Sequence, residues 1–366
     1  MKFSSLYNRD NDSGGTKSND NVARASGESK SLPSGRPSAP AKPSSFVCAE
    51  TAEKTAAHAV YALLLDRVAQ LLYASAGKQP LSLNSHDAVF CELMNVLSAG
   101  NPYLLVLTLK YPSVRPFLPY HIVNAVILAC HLGMKLKLAE QDLKVLFFTT
   151  MLHDVGMTRV SHLANEPRAL TTAEYEEIKT HVVYSMEVVK ALLAENPWLM
   201  ESVLQEIIYV HERIDGLGYP RGFTKEKIRT LGQIIAVTDT YEAMCHERPW
   251  RKPLLPQDVT RHIIKGSGTQ FRPDIVKSVT ETFTIFPPGS WVELSSGDIG
   301  HVMDTNAGYL TRPKVFITKS STAGCSVIDL LGNPLLHIVR QLPYLERNDA
   351  SPVAFKYPPA GAQQDV

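Results

Sequence analysis

The sequence places a histidine beside an aspartate, His153 and Asp154, at the end of the apolar run "FFTTMLHDVGM". Gly156 follows as a natural terminator of the helix that this run predicts. A histidine and an acid at a buried helix end are costly unless they are paired or bind a cation. The His-Asp dipeptide alone is weak evidence, because it occurs often by chance.

A second histidine, His121, lies in "YHIVNAVILACHLGM". On a helix it shares one face with Ala125, Leu128 and Leu132, which makes that face apolar and turns His121 inward. A lone inward histidine is more often a satisfied core residue than a ligand, so this segment leaves both interpretations open.

A third histidine, His181, follows "LTTAEYEEIKT". Thr171 and Glu174 fit a capping box that starts a helix. Continued through His181, this helix has an apolar stripe at positions 175, 178, 182, 185 and 189. The pattern predicts His181 at the edge of that stripe.

The segments "HERIDGLGYP" and "VTDTYEAM" supply a fourth histidine and a further pair of acids. His211 precedes a turn rich in glycine and proline, which by itself indicates only a helix that ends in a polar loop. Asp239 and Glu242 share a helix face. Each acid alone fits a solvated position, but the apolar run before Asp239 argues against that.

Four histidines and two aspartates thus lie at inward or terminal positions of separate helices, and a bundle can aim such groups at one point. Mixed imidazole and carboxylate ligands suit Fe, Mn or Zn better than Mg or Ca. An aspartate beside a histidine ligand can bridge two metals, and a bridged pair activates water for in-line attack at phosphorus.

Composition sets wider bounds on the kind of protein. The chain has 366 residues, 44% hydrophobic and 20% charged, with a formal net charge of +1. Nothing in this balance predicts nucleic acid or an anionic membrane as a partner. The five scattered cysteines favour a reducing compartment. With no apolar signal segment at the start and no run near the roughly 18 apolar residues of a span, we expect a cytoplasmic protein.

The elements that must position these residues are mostly helical. Residues 1–45 are rich in Ser, Pro and Gly and are predicted to be a disordered tail, and 346–366 a second loose tail. Residues 46–112 predict an N-terminal helical region, and 113–285 hold the histidines and acids. Within 286–345, "SWVELSSGDIGHVMDT" reads as a hairpin and "PKVFITKS" as a third strand. The fold class is mainly α, a helical bundle with a small C-terminal β-rich module.

The motifs together resemble the HD-GYP family of the HD phosphohydrolase superfamily, bacterial phosphodiesterases of cyclic di-GMP. The resemblance covers about residues 95–345 and includes the order and spacing of His121, "HDVGM", the His181 helix, "VHERIDGLGYP" and "VTDTYEAMCHERPWRKP". It implies an HD-type bundle that hydrolyses cyclic di-GMP to pGpG or GMP, with two divalent metals, Fe or Mn.

The resemblance also implies roles for particular residues. The implied metal ligands are His121, His153, Asp154, His181, His211 and Asp239. His153 and Asp154 would lie at the catalytic centre. Arg248, Arg251 and Lys252 would face substrate phosphates. The GYP loop would consist of Asp215, Gly216, Gly218, Tyr219 and Pro220, and in the family this loop is linked to docking of GGDEF-domain proteins.

Four departures from the family pattern bear on activity. Val210 replaces the first histidine of the HH pair, and Phe117 replaces the glutamate of three-metal members. Met157 replaces a phosphate-facing lysine, and Glu242 replaces an aspartate. Two interpretations follow: a slow two-metal phosphodiesterase, or a degenerate member that signals by binding the nucleotide or a GGDEF partner. Hydrolysis of another nucleotide is a more distant alternative.

Overall fold

The structure, a computed structural model, describes residues 44–77, 86–109, 116–306, 308–319 and 326–343. The chain divides into two compact units, Met1–Glu50 and Thr51–Val366, and every contact given below lies within the second. Both predicted tails lie outside the described residues, except that the first helix begins at Ser44.

The helices of the described residues follow one another along most of the chain. They are α1 Ser44–Ser75, α2 His86–Ser98, α3 Pro102–Leu109, α4 Leu118–Lys135, α5 Glu140–Leu152, α6 Ser161–Ala164, α7 Thr172–Lys179, α8 His181–Leu192, α9 Pro197–Ile207, α10 Thr230–Cys245, α11 Pro256–Lys265 and α12 Pro273–Phe283. Short 3-10 turns occupy Val155–Val160 and Lys225–Lys227. The predicted mainly α fold is confirmed.

Helix α4 lies at the centre of the bundle, because nearly all its side chains from Pro119 to Gly133 are buried. One of its faces joins an apolar core with α1, α2, α3, α5, α8 and α9. Its opposite face joins a second core with α5, α10, α11 and α12. A helix apolar all round must be enclosed in this way, which fixes His121 on α4 inside the molecule.

The predicted helix through His181 is divided in two. The capping box of Thr171 and Glu174 is present and starts α7, as predicted. Helix α7 ends at Lys179, however, and His181 is the first residue of α8. The predicted apolar stripe is wrong in its first half, since α7 buries none of its residues and Tyr175 is exposed. The reason is that α7 is only two turns long and packs on no core layer.

The C-terminal module is an antiparallel sheet of strand order β4-β3-β2-β1-β5. Its strands are β1 Trp291–Leu294, β2 Ile299–Asn306, β3 Tyr309–Lys319, β4 Ser326–Asp329 and β5 Ile338–Leu342. The predicted hairpin is confirmed: Gly297, with φ +82°, makes the turn between β1 and β2. Alternate residues of β1, β2 and β3 bury Val292, Val302 and Val315 in a small core of the module's own.

Among the described residues, no single helix combines the length and the apolar composition needed to cross a membrane. The pair α2 and α3 meets those two criteria only when taken together, across a bend of 110°.

Candidate metal centre

The structure brings the predicted ligands into one cluster. Two groups have ligand atoms within 4.8 Å of one another. The first group is His121, His153, Asp154 and Asp239, and the second is Asp154, His181 and His211. They come from α4, the end of α5, the start of α8, the turn after α9, and α10. Since α9 ends at Ile207, His211 lies beyond the helix on which it was predicted.

Asp154 is the member that both groups share. One of its oxygens, Oδ2, lies 3.4 Å from Nε2 of His121. The other, Oδ1, lies 3.2 Å from Nε2 of His181 and 3.7 Å from Nε2 of His211. Oδ1 also lies 3.5 Å from Nε2 of His153, so the two oxygens of Asp154 together lie within 3.7 Å of the Nε2 atoms of all four histidines.

Asp239 completes the first group. Its Oδ1 lies 2.9 Å from Nε2 of His121 and 3.5 Å from Nε2 of His153. Asp239 projects from α10 beside α4, so residues 118 positions apart in sequence meet at one carboxylate oxygen.

The far nitrogens of the histidines are fixed by other groups. Nδ1 of His153 lies 2.7 Å from the Thr150 carbonyl, and Nδ1 of His181 lies 2.6 Å from the Ile178 carbonyl. A carbonyl can only accept, so each Nδ1 carries the proton when the ring is neutral. That tautomer leaves the Nε2 lone pair directed into the cluster, as metal-binding histidines require.

Glu242 fixes Nδ1 of His121, as backbone carbonyls do for His153 and His181. Its carboxylate is fully buried and contacts Nδ1 of His121. Asn124 donates to the other oxygen at 3.2 Å, His246 lies 2.8 Å from it, and Nη2 of Arg248 donates at 2.9 Å to the first. The sequence showed only that Glu242 shares a face with Asp239; the contact with His121 is the role it did not reveal.

The charges of the cluster favour a bound cation. Burial alone would raise the pKa of Asp154 and of Asp239, but the surrounding histidines hold both pKa values below their usual range. Burial alone would lower the pKa of His121 and of His153, but the neighbouring carboxylates raise them. Burial lowers the pKa of His211. The carboxylates therefore attract positive charge, and a metal that displaces the ring protons would supply it.

The donor set fits a divalent metal. Nε2 of His153 and Oδ1 of Asp154 are buried without a hydrogen-bond partner among the described residues. Buried polar atoms are rarely left unpaired, and a coordinated ion is one of the ways to satisfy them. Imidazole nitrogens and carboxylate oxygens together suit Fe, Mn or Zn.

Gly156 has a different role from the one predicted. Its φ is not positive, so it does not end α5 in a left-handed conformation. A side chain there would place Cβ 2.1 Å from the His181 carbonyl oxygen and 2.6 Å from the Ser185 amide nitrogen. Ser185 donates to the His153 carbonyl at 2.6 Å and accepts from the Gly156 amide at 2.9 Å. The glycine thus lets the HD segment pack directly on α8.

The GYP loop is held against His211 by its backbone. The Tyr219 amide donates to the His211 carbonyl at 3.0 Å, and the two rings stack with centroids 4.9 Å apart. The buried Glu212 carboxylate accepts from the amides of Arg221 and Phe223 at 2.7 and 2.9 Å. Glu212 was not singled out from the sequence, although its place between His211 and the turn was the available signal.

Other members of the loop stabilise its turn. Asp215 pairs with Arg213 and accepts from the Leu217 amide at 3.1 Å. Gly216 has φ +76°, a conformation that favours glycine. Pro220 is exposed beside Tyr219.

The three predicted phosphate-facing residues have different surroundings. Arg248 is buried beside Glu242, and its Nη1 has no hydrogen-bond partner among the described residues. Arg251 donates to backbone carbonyls, including that of Met244 at 3.1 Å and that of Lys252 at 2.6 Å, and so ties its turn to the end of α10. Lys252 is exposed.

The structure also shows the surroundings of three positions that depart from the family pattern. Val210 is buried in the apolar core formed with α10. Phe117 stands at the start of α4, under the guanidinium of Arg248, which lies 4.5 Å from its ring centroid. Met157 is half-buried on the 3-10 turn that follows Asp154.

Residues 113–275 match the HD domain family, over a stretch that contains the whole cluster. Fold and site together define an HD-domain protein. The HD-domain match and the similarity to several curated cyclic di-GMP phosphodiesterases support the HD-GYP family that the sequence motifs resemble.

Three relatives give the extent of that similarity. A cyclic di-GMP phosphodiesterase of Pseudomonas aeruginosa is 28% identical over 61% of this chain and 54% of its own. One of Thermotoga maritima is 31% identical over 36% of this chain and 35% of its own. A 3′3′-cGAMP-specific phosphodiesterase of Vibrio cholerae is 25% identical over 47% of this chain and 36% of its own. The chain therefore spans from about a third to about half of the relatives' length.

Proposed function

We propose that this chain is a metal-dependent phosphodiesterase that hydrolyses cyclic di-GMP to pGpG, GMP or both. The observation that supports this most directly is Asp154, which belongs to both ligand groups and whose two oxygens lie within 3.7 Å of the Nε2 atoms of all four histidines. Relatives named as cyclic di-GMP phosphodiesterases support the substrate class.

The proposed ligands are the four histidines and two aspartates of the cluster, with His153 and Asp154 at its centre. Two divalent ions, Fe or Mn, would activate a water and stabilise negative charge at phosphorus when bound. The protein's own contribution is orientation. The backbone carbonyls behind His153 and His181 and the carboxylate behind His121 hold each Nε2 in place before substrate arrives.

Arg248 is the best-supported phosphate-binding residue of the three. Its guanidinium lies on the Nδ1 side of His121, where Nη2 pairs with Glu242. Its buried Nη1 has no hydrogen-bond acceptor among the described residues. A phosphate oxygen would satisfy that donor with a charge-assisted hydrogen bond. Lys252 is free to reach a phosphate from the surface, whereas the carbonyl contacts of Arg251 support a role in shaping the turn.

We further propose slow turnover. Charge develops on the phosphate oxygens in the transition state, and a fixed cation there stabilises it more than the ground state. This chain has Met157 at the position where the family has a lysine. Arg248 lies on a different segment and supplies only part of that stabilisation.

A second function is favoured by the GYP loop itself. Leu217, at the tip of this loop, is 70% exposed, and an apolar side chain displayed in this way suits a protein contact. A degenerate HD-GYP protein would use the loop to dock a partner such as a GGDEF-domain protein, or would bind the nucleotide without cleaving it.

The deciding experiment is an anaerobic incubation of the purified chain with cyclic di-GMP in Mn²⁺ or Fe²⁺, with separation of pGpG and GMP. We expect cleavage by the wild type and by His162→Ala, an exposed histidine outside the cluster. We expect none from His181→Ala. A folded, metal-loaded wild type that leaves the nucleotide intact would favour the binding role. Parallel incubation with 3′3′-cGAMP would separate the two substrates.

A further inference from the structure

A path of buried side-chain hydrogen bonds joins helix α1 to the metal cluster. The hydroxyl of Tyr61 on α1 donates to Oδ1 of Asn124 on α4 at 2.8 Å. Nδ2 of Asn124 donates to Oε1 of Glu242 on α10 at 3.2 Å. The other oxygen of Glu242 contacts Nδ1 of His121. Four side chains from three helices therefore form one path that ends on a proposed metal ligand.

The chemistry of the four groups decides which of them donates at each bond. A carboxylate accepts, so the Asn124 side chain turns its NH2 group toward Glu242 and its oxygen toward Tyr61. An amide oxygen also accepts, so the Tyr61 hydroxyl is the donor. Glu242 accepts from Nδ1 of His121, which leaves the Nε2 lone pair directed into the cluster. Each bond polarises the next, so a change at Tyr61 reaches His121.

Burial keeps this path in one arrangement. Asn124 and Glu242 are fully buried and Tyr61 is 4% exposed, so bulk water cannot replace a lost partner. The Tyr61 ring belongs to the apolar core that α1 shares with α4, which fixes the position of its hydroxyl. That hydroxyl in turn holds the Asn124 amide with Nδ2 toward Glu242.

A simpler interpretation is that Tyr61 and Asn124 satisfy only each other, as polar groups in a core must. The bond from Asn124 to Glu242 argues against it, because the same amide also holds the carboxylate that contacts His121.

We infer that Tyr61 is a positioning residue of the metal centre. The inference rests on the proposed function, because it takes His121 as a metal ligand. Tyr61 lies before residues 113–275, the stretch that matches the HD domain and contains the proposed ligands. Helix α1 therefore completes a site whose ligands belong to the domain that follows it. A movement of α1 that breaks the bond to Asn124 would lower the affinity for the metal, and metal binding would stabilise that bond to the same extent.

The test is a titration of the metal-free chain with Mn²⁺, with thermal unfolding as the folding control. Tyr61→Phe keeps the ring in the core and removes only the hydroxyl. It should weaken binding of Mn²⁺ to the His121 group about 2- to 10-fold, the effect of one net hydrogen bond. Tyr73→Phe removes a hydroxyl from a half-buried position of α1 outside this path and should leave the affinity unchanged.

A second pair of variants tests the route of the effect. Asn124→Leu removes the link between Tyr61 and Glu242 at similar side-chain volume. In that background Tyr61→Phe should cause no further loss of Mn²⁺ affinity, because it acts through Asn124. The comparison of Tyr61→Phe with Tyr73→Phe decides alone if Asn124→Leu does not fold.

A merely structural hydroxyl would lower the melting temperature of Tyr61→Phe and leave its Mn²⁺ affinity unchanged, which would overturn the inference. An equal loss of affinity with and without Asn124, or no binding of Mn²⁺ by the wild type, would also overturn it. A wild type whose Mn²⁺ affinity depends on Tyr61 but which cleaves no cyclic di-GMP would refute the proposed function alone.

Discussion

At the scale of single residues, Glu242 shows how a fully buried carboxylate can serve the site without touching the substrate. It contacts Nδ1 of His121, and His246 and Arg248 hold its own two oxygens. Burial alone would raise the pKa of Glu242, but His246, His121 and Arg248 hold it well below the usual value. The carboxylate is therefore ionised and can orient His121 at any physiological pH.

Glu242→Gln should weaken binding of Mn²⁺ to the His121 group about 10- to 100-fold, as loss of an outer-shell partner commonly does. It should also lower the melting temperature, because the buried charge of Arg248 loses its counterion. Metal titration and thermal unfolding measure the two effects. Glu247→Gln, an exposed acid on the following turn, is the matched control. Equal metal affinity in both variants would show that Glu242 has no part in orienting His121.

Met157 gives a prediction about rate. Met157→Lys should raise single-turnover cleavage of cyclic di-GMP several-fold with little gain in affinity, since one well-placed electrostatic donor is commonly worth about 10²–10³ in rate. Met303→Lys adds the same charge on β2 and should not alter cleavage. If the folded, metal-loaded Met157→Lys protein cleaves no faster than wild type, the missing lysine does not limit the reaction.

At the scale of elements, the GYP loop and the HD segment both depend on close backbone packing. A Cβ at Gly218 would lie 2.3 Å from the Arg213 amide nitrogen and 2.6 Å from the His211 carbonyl oxygen. That carbonyl accepts from Tyr219, so the loop cannot yield to a side chain without moving His211 as well.

Gly218→Ala should therefore reduce metal occupancy in the His181 and His211 group while the rest of the bundle stays folded. Gly332→Ala is the control, because its added Cβ would meet no atom closer than 3.8 Å and its backbone is not in the left-handed region. Metal analysis measures the occupancy in the two variants, and circular dichroism shows whether their helices remain folded. Full occupancy in Gly218→Ala would contradict the placement of this loop.

Helix α4 gives a prediction about pH. Burial, and then the charge of Lys135, lower the pKa of His131 to about 4. An unfolded histidine has a pKa of about 6.5, so the unfolded chain binds the proton more readily between these values. The stability contributed by neutral His131 is fully present above about pH 6.5 and is lost as the pH falls toward about 4.

His131→Leu should therefore lose less unfolding free energy than wild type between pH 7 and pH 4.5. Urea unfolding at several pH values measures the difference between the two proteins, in which the titration of the other histidines cancels. If the unfolding free energies of the two proteins change equally with pH across this range, His131 titrates normally in the folded chain.

At the scale of the whole molecule, motif order and helix periodicity were sufficient to predict the mainly α fold, the C-terminal hairpin and the set of residues that meet at the cluster. They were sufficient because those residues occupy inward or terminal positions that a bundle directs to its centre. Contacts that depend on three-dimensional packing were not predictable. His121 meets Glu242 across 121 positions, and Tyr175 leaves its predicted stripe because α7 has no core to face.

The surroundings of Val210 and Arg251 also depend on three-dimensional packing. The resemblance to the family placed a lost ligand at Val210, and the structure buries this side chain in the apolar core beside α10. A basic residue near a proposed phosphate site is indistinguishable in sequence from one that donates to carbonyls, and Arg251 does the latter.

The most direct test of the central claim is the number of metal ions bound per chain after anaerobic loading with Mn²⁺ or Fe²⁺. We predict two equivalents for the wild type and for Asp258→Asn, an acid on α11 that pairs with Arg261. Asp154→Ala should lose both ions and all hydrolysis while its helices remain folded, because Asp154 is the one residue common to both groups. A folded Asp154→Ala protein that still binds two ions would contradict the account.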